Sequence, residues 1–153
     1  IHLFEKFGVY SETELCSRAK IQYETYVKQI NIEALTMIDI AGKQLIPAII
    51  DYSKELATSA KSIENLGMEA TVQRCLLEQV NEKLKIAYHA YQELILLMNE
   101  VGRIDDEEEQ AKFYYQHVTL AMDKLRKPID ELEMIVDKKK WPMPSYGDLM
   151  FEL

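Results

Sequence analysis

Residues that interrupt helices and strands are scarce in this chain of 153 residues, which has only 5 glycines and 4 prolines. Gly and Pro are the strongest local breaks in secondary structure, so their scarcity disfavours a fold of many short elements and favours a few long ones. The chain has only 2 cysteines, Cys16 and Cys75, without the Cys-x-x-Cys spacing of a metal or redox pair. We expect both to be core residues, because a free cysteine packs as a small apolar side chain.

Long apolar segments and an excess of basic charge are also missing. The longest purely apolar run, Leu94 to Met98, is far shorter than the ~20 residues of a membrane-spanning helix, and no basic and apolar leader opens the chain. With 18 Lys and Arg against 26 Asp and Glu, the formal net charge is -8, which repels nucleic acid and anionic membranes. The sequence therefore predicts a soluble, cytoplasmic protein that has neither nucleic acid nor a membrane as partner.

Sequence signatures of catalysis and cofactor binding are absent too. The chain has no His-Glu-x-x-His, no Gly-x-x-x-x-Gly-Lys-Ser/Thr, no Gly-x-Gly-x-x-Gly and no Gly-x-Ser-x-Gly. A di-iron site in a helical bundle needs Glu-x-x-His pairs, but the residues three positions before His89 and His117 are Ile86 and Tyr114. We therefore predict no catalytic, cofactor-binding or metal-binding residue in this chain.

What the sequence does contain is an eleven-residue apolar repeat in its first third. Spacings of 4, 4 and 3 residues correspond to about 3.67 residues per turn, so these residues stay on one face of a nearly straight helix. A second stripe has the same period and consists of Cys16, Val27, Ile38, Ile49 and Ala60. The main stripe consists of Leu15, Ala19, Tyr23, Tyr26, Ile30, Ala34, Met37, Ala41, Leu45, Ala48, Tyr52 and Leu56. The repeat predicts a long helix that is buried along its length.

Local signals set the bounds of this first helix. Ser11 and Glu14 have the spacing of a capping box, in which each side chain bonds the other's backbone amide. Gly67 supplies a left-handed stop, so the helix should span 12–64. Pro47 should kink it without breaking it, because proline removes one helical hydrogen bond while the apolar stripe continues in phase.

Two further helices are expected. A second helix should span 68–101, with Val72 on its inner face, and Gly102 should end it. A third should span 105–138, opening at Asp105, because its apolar residues, among them Tyr115 on the inner face, follow alternating steps of 4 and 3. Pro128 should kink this third helix, since the residue before a proline resists helical angles.

These elements together predict an all-α fold. Short connections make consecutive helices antiparallel neighbours, which gives an up-down-up bundle of three long helices in a single domain over 1–153. Residues 1–10 are too short and too apolar to stand alone and should be a docking segment. Residues 141–153 are aromatic and interrupted by proline, and should form an extended tail that needs a groove.

The unequal helix lengths predict an interaction surface. The second helix can cover only the half of the first helix from about Ala34 to Ile63, so the earlier part of the stripe lacks a partner. A long uncovered apolar face indicates contact with another surface. The predicted interface consists of Leu15, Ala19, Tyr23, Tyr26 and Ile30 together with Trp141, Tyr146 and Phe151 of the tail.

Several segments resemble one known family. They are the helical stretch 31–52, with its Glu33-Ala-Leu-Thr36 and Ile46-Pro-Ala-Ile-Ile-Asp-Tyr52 runs, the stretches 122–126 and 130–133, and the tail that opens with Trp141-Pro-Met-Pro-Ser-Tyr146. In this combination the chain resembles, over nearly its whole length, the C-terminal region of type III glutamine synthetases, the large bacterial form.

The resemblance implies an enzyme that joins ammonia to glutamate with ATP and a divalent metal such as Mg²⁺, in a dodecamer of two stacked hexameric rings. The family's metal, nucleotide and glutamate ligands lie upstream, and none can be placed on a residue of this chain. The resemblance thus implies a non-catalytic appendage, without a cofactor of its own, that packs against the catalytic region and neighbouring subunits of a homo-oligomer. Because the chain begins with Ile1 rather than Met, we expect a fragment of a larger enzyme.

Two alternatives remain at this point. One is a free-standing helical adaptor that self-associates through its exposed apolar stripe, which predicts a native Met start and a stable dimer. The other is a small all-helical enzyme with an active site inside the bundle. Such an enzyme should bury Arg or Lys on the inner helix faces, and the predicted inner faces contain neither.

Overall fold

The computed structural model of the protein describes residue 8, residues 10–144 and residues 146–151. Every regular element in this part of the chain is a helix, which confirms the all-α prediction. The predicted docking segment 1–10 lies outside the described residues apart from Gly8 and Tyr10. The up-down-up order of the helices stays a prediction.

The first long helix runs without a break from residue 12 to residue 65 and contains three segments. They are α1 at Glu12–Ile40, a first π turn at Ala41–Leu45 and α2 at Ile46–Asn65. At its start, Ser11 and Glu14 exchange the hydrogen bonds of the predicted capping box, with the Ser11 N–H donating to Glu14 Oε2 at 2.9 Å. This backbone hydrogen bond lowers the pKa of the Glu14 carboxyl.

The helix ends at the predicted left-handed glycine. Gly67 has a φ of +76°, its N–H donates to the carbonyl of Glu64 at 2.9 Å, and the next N–H, of Met68, donates to the carbonyl of Ile63 at 3.3 Å. These two bonds form a Schellman motif, which gives hydrogen-bond donors to carbonyls that the end of the helix would otherwise leave without one.

The first π turn lies directly before Pro47, where the sequence predicts only a kink. The N–H of Ile46 donates to the carbonyl of Ala41, five residues back. Pro47 therefore stands in the first turn of α2, a position that tolerates its missing N–H. The chain passes this proline with helical structure on both sides.

The second long helix, α3, spans Thr71–Val101. It begins three residues later than predicted, because Ala70, with φ of -97° and ψ of 47°, is not helical and is buried in the core. Its end matches the expectation, with Gly102 as the capping residue.

The third long helix consists of α4 at Glu107–Phe113, a second π turn at Tyr114–Val118 and α5 at Thr119–Glu133. It starts at 107 rather than 105 because the Asp106 carboxylate caps it, accepting a hydrogen bond from the Glu109 N–H at 2.9 Å. It ends at 133 rather than 138. The Asp137 side chain there accepts from the Lys139 N–H at 2.9 Å, a local turn that competes with the helix.

Pro128 lies inside α5 and is buried, and the helix continues through it. Farther on, the tail is not fully extended as the sequence predicts, because α6 spans Tyr146–Phe151. This stretch follows the last proline of the chain, and it carries Asp148 in its first turn, where a carboxylate stabilises the exposed amides.

The packing of the long helices changes at each π turn. α1 packs chiefly against α4, whereas α2 packs chiefly against α3. In the third helix, likewise, α4 lies against α1 and α5 lies against α3. A π turn contains one residue more than an α-helical turn. In both helices the π turn lies between the part that faces one partner and the part that faces the other.

The core contains side chains from all three long helices. Tyr114 is buried and Tyr115 is 70% exposed, so the predicted place of Tyr115 on the inner face is wrong, because Tyr114 takes that place and bonds Asn31 of the first helix. The prediction that Cys16 and Cys75 are core residues is also wrong, since both are exposed. The largest fully buried side chains are Ile49, Leu94, Leu125, Leu132, Val80 and Val118.

One polar contact joins the first and third helices. The Tyr114 hydroxyl donates to Asn31 Oδ1 at 3.0 Å. Burial raises the pKa of the Tyr114 phenol, so it stays protonated and remains a donor at neutral pH. Because the ring is almost fully buried, the hydroxyl depends on this acceptor.

The contact of one tyrosine ring with the first π turn depends on a glycine. An added Cβ at Gly42, in the first π turn, would lie 2.5 Å from the Tyr91 hydroxyl oxygen and 3.0 Å from Tyr91 Cζ. Any side chain at this position therefore pushes α3 away from the π turn or displaces the ring.

Replacing Gly42 with alanine should lower the free energy of unfolding by about 1 kcal/mol, since the clash with Tyr91 outweighs the better helix propensity of alanine. Urea denaturation followed by circular dichroism measures this change in the free energy of unfolding. Gly102→Ala is the matched control, because its added Cβ meets nothing closer than 3.7 Å. If Gly42→Ala proves as stable as the parent chain, the close approach is wrong.

Tyr114→Phe should cost about 1 kcal/mol of unfolding free energy, because it leaves Asn31 without its donor. Tyr115→Phe removes the same atom from the neighbouring, exposed ring and should change stability by less than about 0.5 kcal/mol. Equal effects of the two substitutions in urea denaturation would contradict the role of this hydrogen bond.

Candidate functional site

The interior of the bundle is apolar. No polar or charged residue is buried among the residues that the structure describes. Within the same residues, no group of three His, Cys, Asp or Glu side chains is placed to hold a metal ion. Nor does any helix in the described part have the length and hydropathy to span a membrane.

Charged side chains pair on the surface instead. Lys124 Nζ lies 2.8 Å from Glu93 Oε1, between α5 and α3, and Lys112 Nζ lies 2.6 Å from Glu108 Oε1 within α4. Such exposed pairs contribute at most about 1 kcal/mol each. The first pair joins two helices, whereas the second lies within one.

The structure corrects the prediction that the early stripe lacks a partner within this chain. The prediction compared only the lengths of the first and second helices, but the third helix covers part of the stripe. Tyr26 and Ile30 are half-buried and pack on the core. Tyr23 is also half-buried and lines a surface groove that Asp105 and Glu108 border from the other side. The physical reason is that α4 packs along α1.

The first part of the stripe stays more open. Leu15 is half-buried and Ala19 is exposed. Both belong to the first three turns of α1, and Ala19 shares the groove with Cys16 and Tyr23. The interface predicted from these residues stays a prediction.

The tail residues of the predicted interface are only partly described. Trp141 is half-buried and packs against the core, next to an ion pair between Lys140 and Glu55 of α2. The side chains of Tyr146 and Phe151 lie outside the described residues, although their backbone belongs to α6. Trp141 therefore fixes the start of the tail on the bundle.

The sequence interpretation missed an exposed apolar cluster where α2 turns into α3. Leu66 is 74% exposed, Met68 is 56% exposed and Val72 is 67% exposed. The prediction that Val72 lies on the inner face of the second helix is wrong, because Val72 lies in the first turn of α3, next to the exposed connection from α2. The sequence contained a signal for this cluster, because turns usually carry polar residues and this one has three large apolar residues around its glycine.

Known proteins resemble this chain along its length. A family model described as glutamine synthetase C-terminal domain matches residues 1–64. The type-3 glutamine synthetase of Dictyostelium discoideum is 32% identical over 99% of this chain and 21% of its own length. A glutamine synthetase of Butyrivibrio fibrisolvens is 29% identical over 100% of this chain and 22% of its own length. One of Bacteroides fragilis strain YCH46 is 24% identical over 94% of this chain and 20% of its own.

The chain spans about a fifth of the length of these relatives. The matches agree with the resemblance drawn from the helical stretch 31–52 and from the tail that begins at Trp141. That resemblance is confirmed: the chain belongs with the C-terminal domains of type-3 glutamine synthetases.

Proposed function

We propose that this chain is the non-catalytic C-terminal helical domain of a cytoplasmic glutamine synthetase, an ATP-dependent glutamate–ammonia ligase. In this proposal ATP and Mg²⁺ bind elsewhere in the enzyme, and the domain serves packing and the assembly of a homo-oligomer. The similarity over 94–100% of this chain but only a fifth of each relative supports a part of a longer enzyme.

The observation that carries the packing role is the exposure of large apolar side chains. Sixteen of them among the described residues are more than a third exposed. Single exposed apolar residues are normal, but groups of them favour interaction sites. The surface around Leu15, Ala19 and Tyr23, at the free end of α1, is the part of the predicted interface that remains open to a partner.

Removal of the domain from a full-length type-3 glutamine synthetase tests this function. We expect the truncated enzyme to form smaller assemblies in light scattering and to lose most of its ligase rate, because subunit contacts are missing. If truncation leaves both assembly size and rate unchanged, the packing role is wrong.

A second variant keeps the domain in place, in case the truncated chain does not fold. Leu15→Glu with Ala19→Glu places two charges on the open part of the stripe and should weaken assembly. Ser17→Glu with Gln22→Glu adds the same charge at exposed polar residues of the same helix, and should leave assembly intact. A stable dimer of the 153-residue chain alone would instead favour the self-associating adaptor.

A further inference from the structure

A short ordered turn follows the third long helix. The N–H groups of Lys140 and Trp141 both donate to the carbonyl of Asp137, at 2.8 and 3.1 Å. The Asp137 carboxylate in turn accepts from the Lys139 N–H at 2.9 Å. These local bonds hold the backbone of the turn in one conformation. We call residues 137–141 the strap.

The strap links the end of the third helix to the first. α5 and α2 each pack chiefly against α3, so they share a partner. The Lys140 ammonium forms an ion pair with the Glu55 carboxylate of α2, and the half-buried ring of Trp141 packs against the core. A charge pair and an aromatic ring therefore tie the strap to the bundle.

Lys140 lies near carboxylates from two elements. Asp51 and Glu55 belong to α2 and Asp137 belongs to the strap, and all three favour the charged form of the lysine. The hydrogen bond to Glu55 raises the pKa of the Lys140 ammonium, so this side chain is charged at neutral pH. Asp51, Lys54, Glu55 and Lys140 line one surface groove. In that groove Lys140 meets two carboxylates and one ammonium group of α2.

The contacts that hold the strap are more exposed than those that hold the bundle. The Lys140 side chain is 37% exposed and that of Glu55 is 56% exposed, so salt can screen their attraction. Core side chains such as Leu125 and Leu132 are instead at most 1% exposed. Segments with few buried contacts open at a lower free energy than the core does.

We propose that the strap opens as a unit while the three long helices stay folded, and that the charge on Lys140 keeps it closed. Opening removes Trp141 from the core and exposes the apolar surface that its ring covers. Any change that screens or removes the charge of Lys140 therefore increases the apolar surface that this domain exposes. The inference concerns contacts within the 153 residues and is independent of the proposed function.

Trp141 is the single tryptophan of the chain and reports on the strap directly. Lys140→Gln should raise the acrylamide quenching constant of its fluorescence about twofold or more, because the ring then spends more time in water. Far-UV circular dichroism should stay unchanged, since the helices remain folded. Lys139→Gln removes the same charge from the neighbouring, exposed residue and should leave the quenching unchanged.

Two further measurements isolate the charge pair. Sodium chloride at about 1 M shortens the screening length to about 3 Å, so it should increase the quenching in the parent chain and add little in Lys140→Gln. Glu55→Gln should also increase the quenching. The double variant should increase it by less than the sum of the two single effects, because both substitutions remove the same pair.

Unchanged quenching in Lys140→Gln overturns the inference. Increased quenching that comes with a loss of helical circular dichroism overturns it too, because the strap would then not open separately from the bundle. Amide hydrogen exchange gives the same decision residue by residue. In Lys140→Gln the amides of residues 140 and 141 should exchange about tenfold faster, while the amides of α3 keep their rates.

Discussion

The change of packing partner at each π turn is the constraint on which the rest of this bundle depends. In the first long helix α1 faces α4 and α2 faces α3, and the change occurs at Ala41–Leu45. The second long helix can press its Tyr91 onto that turn only because Gly42 has no side chain. The second π turn marks the same change of partner in the third helix, and its first residue, Tyr114, bonds Asn31. Two local irregularities thus determine which surfaces meet.

These packing choices also determine what remains available for function. The interior that results is filled by apolar side chains, with charged groups in exposed pairs such as Lys124 and Glu93. Such an interior stabilises the bundle. One end presents the start of the apolar stripe beside carboxylates, and the turn between α2 and α3 presents exposed apolar side chains.

Much of the architecture could be predicted because it depends on local signals. The capping box at Ser11, the left-handed stop at Gly67 and the end at Gly102 depend on chemistry within a few residues, and all three lie where expected. The covered stripe was harder to predict. Whether Tyr26 and Ile30 have a partner depends on how far the third helix extends along the first, which no local pattern encodes. Cys16 and Cys75 differ from the prediction for the same reason, because an apolar residue at helical spacing need not face a neighbour.

The sequence alone determined the all-helical class, the approximate bounds of three long helices and the likeness to the C-terminal region of type III glutamine synthetases. It could do so because helix caps, apolar periodicity and family segments are all written in consecutive residues. The tertiary structure alone decided the two π turns and the burial of Tyr114 rather than Tyr115. It also decided the exposure of the apolar residues around the turn between α2 and α3. These features arise from contacts between residues far apart in the chain, where the fit of one helix on another overrides the regular period of either.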